Sequence, residues 1–114
     1  MEVNKTFVTT DDDQVYEPTL LQLFQALSDA TRLDIVLCLL DPERGCLLKE
    51  RYPIAKSTLS HHLKILREAN ILILHVNNNA YKYEVNTVYL RKHFPDIVGM
   101  LENYIKSNKE LNSK

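Results

Sequence analysis

Leu20, Leu23, Phe24 and Leu27 recur at i, i+3, i+4 and i+7 and mark one face of a helix that begins after Pro18. Ser28 or Asp29 then reads as the N-cap of a second helix with the stripe Leu33, Val36, Leu37 and Leu40. Asp41-Pro42-Glu43-Arg44-Gly45 is a turn, because proline cannot continue the helix. A short helix is expected from Cys46 to Arg51, stopped by Pro53, and a longer one from Lys56 to Ala69. Asn70 suits its end, since asparagine tolerates left-handed backbone.

The period then changes. Ile71–Val76 is aliphatic and β-branched, and Tyr81–Val85 alternates between faces, so both read as strands. Asn77-Asn78-Asn79 between them supplies a hairpin turn. Pro95 is at home in the first turn of a helix, so residues 87–109 divide there. The longer part carries the stripe Ile97, Val98, Leu101, Tyr104 and Ile105. Residues 1–13 are polar and end in Asp11-Asp12-Asp13. The organisation expected is a flexible acidic tail over 1–15, one domain over 16–110 and a frayed end over 111–114. The fold class is mainly α with a small β-hairpin (α+β), in the helix order of a winged helix–turn–helix.

The helix 56–69 carries the chemistry. At about 100° per residue, Leu59, Leu63 and Leu66 lie within about 60° of one another and define a core face. Ser57, Ser60, His61, Lys64, Arg67 and Glu68 share the opposite arc of roughly 120°. Such a polar face fits the DNA major groove, with short hydroxyls allowing close approach and His61 offering a ring nitrogen to a base edge. Lys64 and Arg67 reach phosphates. His62 falls beside the core stripe and reads as a structural, partly buried histidine.

Composition changes this picture in three ways. The chain has 114 residues, one domain's length, which argues against a multidomain enzyme. The net charge of −1 argues against nucleic acid until its distribution is read. Residues 1–48 hold three basic and nine acidic side chains, whereas 49–82 hold six basic and two acidic. A basic middle is a modest nucleic-acid footprint. Third, no apolar run approaches the ~18 residues of a membrane span, and Met1–Thr6 lacks the order of a signal peptide, so a cytoplasmic location without membrane contact is expected.

Catalysis finds no support. Gly45 and Gly99 are isolated and form no phosphate loop. No spacing assembles nucleophile, base and orienting acid, and Ser57 with His61 lies on a convex face. No cofactor is expected.

Two segments resemble a known family. Leu23-Phe24-Gln25-Ala26-Leu27-Ser28-Asp29-Ala30-Thr31-Arg32-Leu33 is similar to the N-terminal signature of ArsR/SmtB-type bacterial repressors. Ser57-Thr58-Leu59-Ser60-His61-His62-Leu63-Lys64-Ile65-Leu66-Arg67-Glu68-Ala69 resembles their recognition helix. The likeness covers about residues 20–105. It implies a homodimeric repressor that reads an inverted repeat in double-stranded DNA and is released by an effector. On matching positions it implies that Ser57, Thr58, Ser60 and His61 contact bases, with Lys56 beside them. Lys64, Arg67 and Arg32 would serve the backbone, and the wing residues Asn78 and Lys82 the flanking DNA. The dimer would form through the N- and C-terminal helices, by Leu20, Phe24, Ile97, Val98, Leu101, Tyr104 and Ile105.

The chain departs from the family pattern at Ala30, Ala55 and Lys56. Ala55 stands where a serine cap is common, a loss of about 1 kcal/mol, though Ser57 is a substitute. Lys56 stands where glutamine is frequent. The effector is open: a small molecule, a metal or a redox signal. Cys46-Leu47-Leu48-Lys49-Glu50 holds one thiol where paired cysteines bind metals, and His93 with Asp96 lacks a second ligand pair, so no metal site is expected. Cys38 reads as a packed thiol, and Cys46 as a thiol near Arg44 and Lys49. A Cys46 bond between subunits and a Cys38–Cys46 pair both stay open. The alternative function is a winged helix that binds protein and not DNA, which the near-neutral charge permits.

Overall fold

The computed structural model describes residues 20–44, 46 and 48–112. The 1–15 tail and residues 113–114 lie outside the described residues. The element order is α1 (Leu20–Leu27), α2 (Ala30–Leu40), α3 (Leu48–Arg51), α4 (Lys56–Glu68), β1 (Leu72–Asn77), β2 (Ala80–Val85), α5 (Thr87–His93) and α6 (Pro95–Asn112). This is the winged helix–turn–helix order: α3 and α4 are the two helices and the β1–β2 hairpin is the wing.

Local chemistry sets the boundaries. Asp29 caps α2, its carboxylate accepting from the Arg32 amide at 3.0 Å. Ser28 closes α1 instead, donating from its hydroxyl to the Gln25 carbonyl at 2.9 Å. Asn86 caps α5 by accepting from the Tyr89 amide. Asn70 ends α4 with φ 61°, the left-handed value its type allows. Ala55 is the N-cap of α4 and makes no side-chain cap bond, and Ser57 lies inside the helix rather than at its cap.

Helix α2 is the centre of the packing and touches α1, α4, α6 and β2. Its fully buried residues are Ile35, Val36 and Cys38, while Leu33, Leu37 and Leu40 are partly buried. The predicted stripe therefore holds only at Val36; a helix covered from several sides has no single buried line. The core is completed by Leu23, Leu59, Leu63, Leu66, Ile71, Leu72, Val85, Leu90, Val98 and Leu101. Each such large side chain contributes roughly 1.5–3 kcal/mol by leaving water.

The cysteines are not thiols. Cys38 and Cys46 are joined in a disulfide, with their Cα atoms 5.9 Å apart. Burial of Cys38 is as expected, but the free thiol is corrected. The turn after α2 reverses the chain and returns Cys46 to the helix end, within bridging distance. Helix α3 also starts later than expected, at Leu48, with Cys46 outside it.

Candidate nucleic-acid interface

Helix α4 presents its polar face outward. Leu59, Leu63 and Leu66 are buried, whereas Lys56, Ser57, Thr58, Ser60, His61, Lys64, Arg67 and Glu68 are exposed. The face holds hydroxyls, one imidazole and three cations, so it can both read base edges and meet phosphates.

Arg32 sits in the first turn of α2, half-buried. Its Nε donates to the Ala26 carbonyl at 2.7 Å and its Nη2 to the Gln25 carbonyl at 3.4 Å. Its Nη1 lies 3.1 Å from Nδ1 of His62 on α4. Asp29 lies beside the same imidazole, 3.8 Å away. The Arg32 amide bond holds the Asp29 carboxyl below its usual range. Arg32 thus joins the end of α1, the start of α2 and the inner side of α4. His62 is partly buried, as its place beside the core stripe predicts.

A second cluster fixes α3. Arg51 holds both oxygens of Asp34 on α2, Nε to Oδ2 at 2.8 Å and Nη2 to Oδ1 at 3.1 Å. The Tyr52 hydroxyl donates to Asp34 Oδ2 at 2.6 Å. The Arg51 bond, ahead of Tyr52, keeps the Asp34 carboxyl below its usual range. Burial, reinforced by Asp34, pushes the Tyr52 hydroxyl up to about 12. Reading the sequence did not find this network, because nothing local links residue 34 to residue 51.

The wing pairs Leu72 with Val85 through to Asn77 with Ala80. Asn78 and Asn79 turn it with φ 53° and 68°, a two-residue turn that matches strand twist. Asn78 and Lys82 are exposed. So are Val76 and Tyr81, paired across the strands near the tip, which the sequence reading also missed. His75 and Glu84 meet at 2.7 Å on the wing.

The residues expected at a dimer contact divide. Val98 and Leu101 are in the chain's own core, and Ile97 and Ile105 are partly buried. Leu20, Phe24 and Tyr104 are each more than half exposed, as are Leu21 and Met100. His93 stacks on Tyr89 with ring centroids 4.4 Å apart. Among the described residues, no three His, Cys, Asp or Glu side chains stand together as a metal site. Nor is any helix among them long and apolar enough to cross a membrane.

Comparison with known proteins places this geometry. The family model described as "Bacterial regulatory protein, arsR family" matches residues 29–73, from the cap of α2 into β1. The chain is 33% identical over 85 residues to the transcriptional repressor SdpR of Bacillus subtilis, covering 73% of this chain and 89% of that one. It is 37% identical over 67 residues to the arsenical resistance operon repressor of Bacillus subtilis, covering 57% and 64%. With the arsenical resistance operon repressor of Staphylococcus xylosus it shares 33% over 69 residues, covering 60% and 66%. The chain thus spans just under two thirds of the length of both arsenical resistance repressors.

Proposed function

This chain belongs to the arsR family of bacterial regulatory proteins, and on that footing we propose that it is a sequence-specific, DNA-binding transcriptional repressor acting as a homodimer in the cytoplasm. The observation that carries this reading is the α4 face: an unbroken exposed polar arc on a helix whose other side is locked into the core. Ser57, Thr58, Ser60 and His61, with Lys56, read bases in the major groove. Lys64 and Arg67 hold phosphates on either side. The wing lays Asn78 and Lys82 along the flanking duplex.

The exposed apolar side chains of α1 and α6, Leu20, Phe24 and Tyr104 foremost, meet a second copy. Two recognition helices then face half-sites about 34 Å apart in an inverted repeat.

The test is fluorescence anisotropy of the purified protein on a duplex from upstream of its own gene, at several salt concentrations. Tight binding with a steep salt slope is expected, because phosphate contacts release counterions. Ser60→Ala/His61→Ala removes the hydrogen bonds to base edges, each good pairing being worth about 1–3 kcal/mol of discrimination. Lys64→Ala weakens binding to all duplexes alike and lowers the salt slope by about 1. Absence of binding to any duplex overturns the reading and favours a protein-binding winged helix.

A further inference from the structure

The proposed DNA contact leaves Cys38 and Cys46 unused. Cys38 lies in the last turn of α2 and is fully buried. Cys46 is partly exposed, stands outside any helix and lies two residues before α3. Their bond closes the turn that carries Asp41. Asp41 is buried and accepts from Lys109 of α6 at 2.6 Å, with Arg44 at 3.7 Å. One bond therefore fixes a loop that meets the end of α2, the approach to α3 and the far end of α6.

A regulator that reads bacterial DNA works where reductants keep most thiols reduced, and disulfides that form there are transient. Resting on the DNA-binding reading above, we propose that the Cys38–Cys46 pair is a reversible oxidation site that sets the protein's affinity for DNA, with the dithiol binding tightly and the disulfide weakly. The direction follows from α3. The local sequence favours a helix starting at Cys46, whereas the disulfide chain has Cys46 held at α2 and α3 only as Leu48–Arg51. Helix α3 leads directly into the turn before α4, so a shortened α3 holds the reading face less firmly.

The chemistry balances with a hydroperoxide as oxidant. The Cys46 thiolate, the more exposed sulfur, attacks one peroxide oxygen. The O–O bond breaks, hydroxide leaves and takes a proton as water, and Cys46 becomes a sulfenic acid. The Cys38 thiol gives up its proton and attacks the Cys46 sulfur. The S–O bond breaks and a second water leaves. Two thiols and one hydrogen peroxide thus give one disulfide and two waters; the sulfurs are oxidised and the peroxide oxygens reduced. An added dithiol reverses the step by thiol–disulfide exchange.

The experiment compares the full chain after reduction with the same chain after stoichiometric hydrogen peroxide. Intact mass and peptide mapping read the bond, and anisotropy on the operator duplex reads affinity. The expected result is an intrachain Cys38–Cys46 bond, a loss of affinity of at least about fivefold, and recovery with dithiothreitol. Cys46→Ser binds like the reduced protein and ignores peroxide. Because Cys38 is buried, Cys46→Ser rather than Cys38→Ser carries the test. A bond without a change in affinity overturns the proposal. So does failure to form the bond, a bond between two chains, or a peroxide response that survives in Cys46→Ser. DNA binding in neither state defeats the DNA-binding reading and the affinity claim with it, while mass still reports the bond, so the two failures are separable.

Discussion

The Arg32 guanidinium lies 3.1 Å from Nδ1 of His62, across 30 residues of sequence, and fixes the first turn of α2 against α4.

Substitution of Arg32 tests whether the side chain acts inside the protein. A phosphate contact needs a cation, whereas this clamp needs the guanidinium fork, whose Nε and Nη atoms reach three different acceptors. Arg32→Lys is expected to behave like Arg32→Ala. Both lose about 0.5–1.5 kcal/mol of stability by giving up the bonds to the partly buried Ala26 carbonyl and His62 ring. Both weaken operator binding without reducing its salt slope. Thermal melts and salt-dependent anisotropy read the two effects; a normal Arg32→Lys protein refutes the clamp.

The wing turn offers a cleaner test of backbone conformation. Asn79 has φ 68° and Asn78 φ 53°. The second position of this turn type favours glycine, so Asn79→Gly relieves the left-handed backbone, and the gain, reduced by glycine's greater freedom in the unfolded chain, stays under about 1 kcal/mol. Asn79→Val cannot take the left-handed shape cheaply and loses about 1–2 kcal/mol. Asn78 is untouched in both variants, so any change in DNA affinity reports wing order rather than the absence of the Asn78 side chain. Urea unfolding measures both; a stabilised valine variant rejects the turn assignment.

These positions were legible because the relevant signal is local. The αL tolerance of Asn70, Asn78 and Asn79 lies in each side chain, and Leu59, Leu63 and Leu66 repeat within one helix. Where burial depends on distant elements, the reading thins. Leu20 and Phe24 fit a buried stripe by period, yet both are 52% exposed, since periodicity names a face and not its occupant. The Cys38–Cys46 bond needed the exact path of a turn, and Lys109 meets Asp41 across 68 residues. The polar arc of α4 was readable in full; the clamps that hold it at its angle were not.

The apolar faces of α1 and α6 make a prediction about assembly. Phe24 is half exposed beside Leu20 and Leu21, so a charge there disturbs no core packing in the single chain. Phe24→Lys is expected to keep the melting cooperativity of the fold while shifting sedimentation from dimer to monomer. Operator affinity then falls steeply, because each half-site is bound alone. A Phe24→Lys dimer of unchanged strength moves the interface elsewhere.

The loop between α2 and α3 gives a pH prediction whose sign is fixed by Asp41. Lys109, and then the Glu43 amide at 3.0 Å, hold this buried carboxyl below its usual value of 3.8. A carboxyl with a lowered folded pKa contributes stability that is fully present above the unfolded value and is lost as pH falls through the folded one. Asp41→Asn keeps the shape and removes the charge. It is expected to melt several degrees below the parent at pH 7. The difference begins to shrink as pH falls below 3.8, the value of the unfolded chain, and closes as it passes through the lower value at which the folded parent's own Asp41 becomes neutral. Asp34 and Asp29, whose carboxyls are also lowered, lose their contributions in both proteins and so cancel in the comparison. Lys109→Met, which removes the partner instead, narrows the gap over the same acid range. Circular dichroism melts from pH 7 to pH 3 decide the matter. A gap of constant size shows that Asp41 acts by packing and hydrogen-bond geometry, and that its charge does not anchor α6.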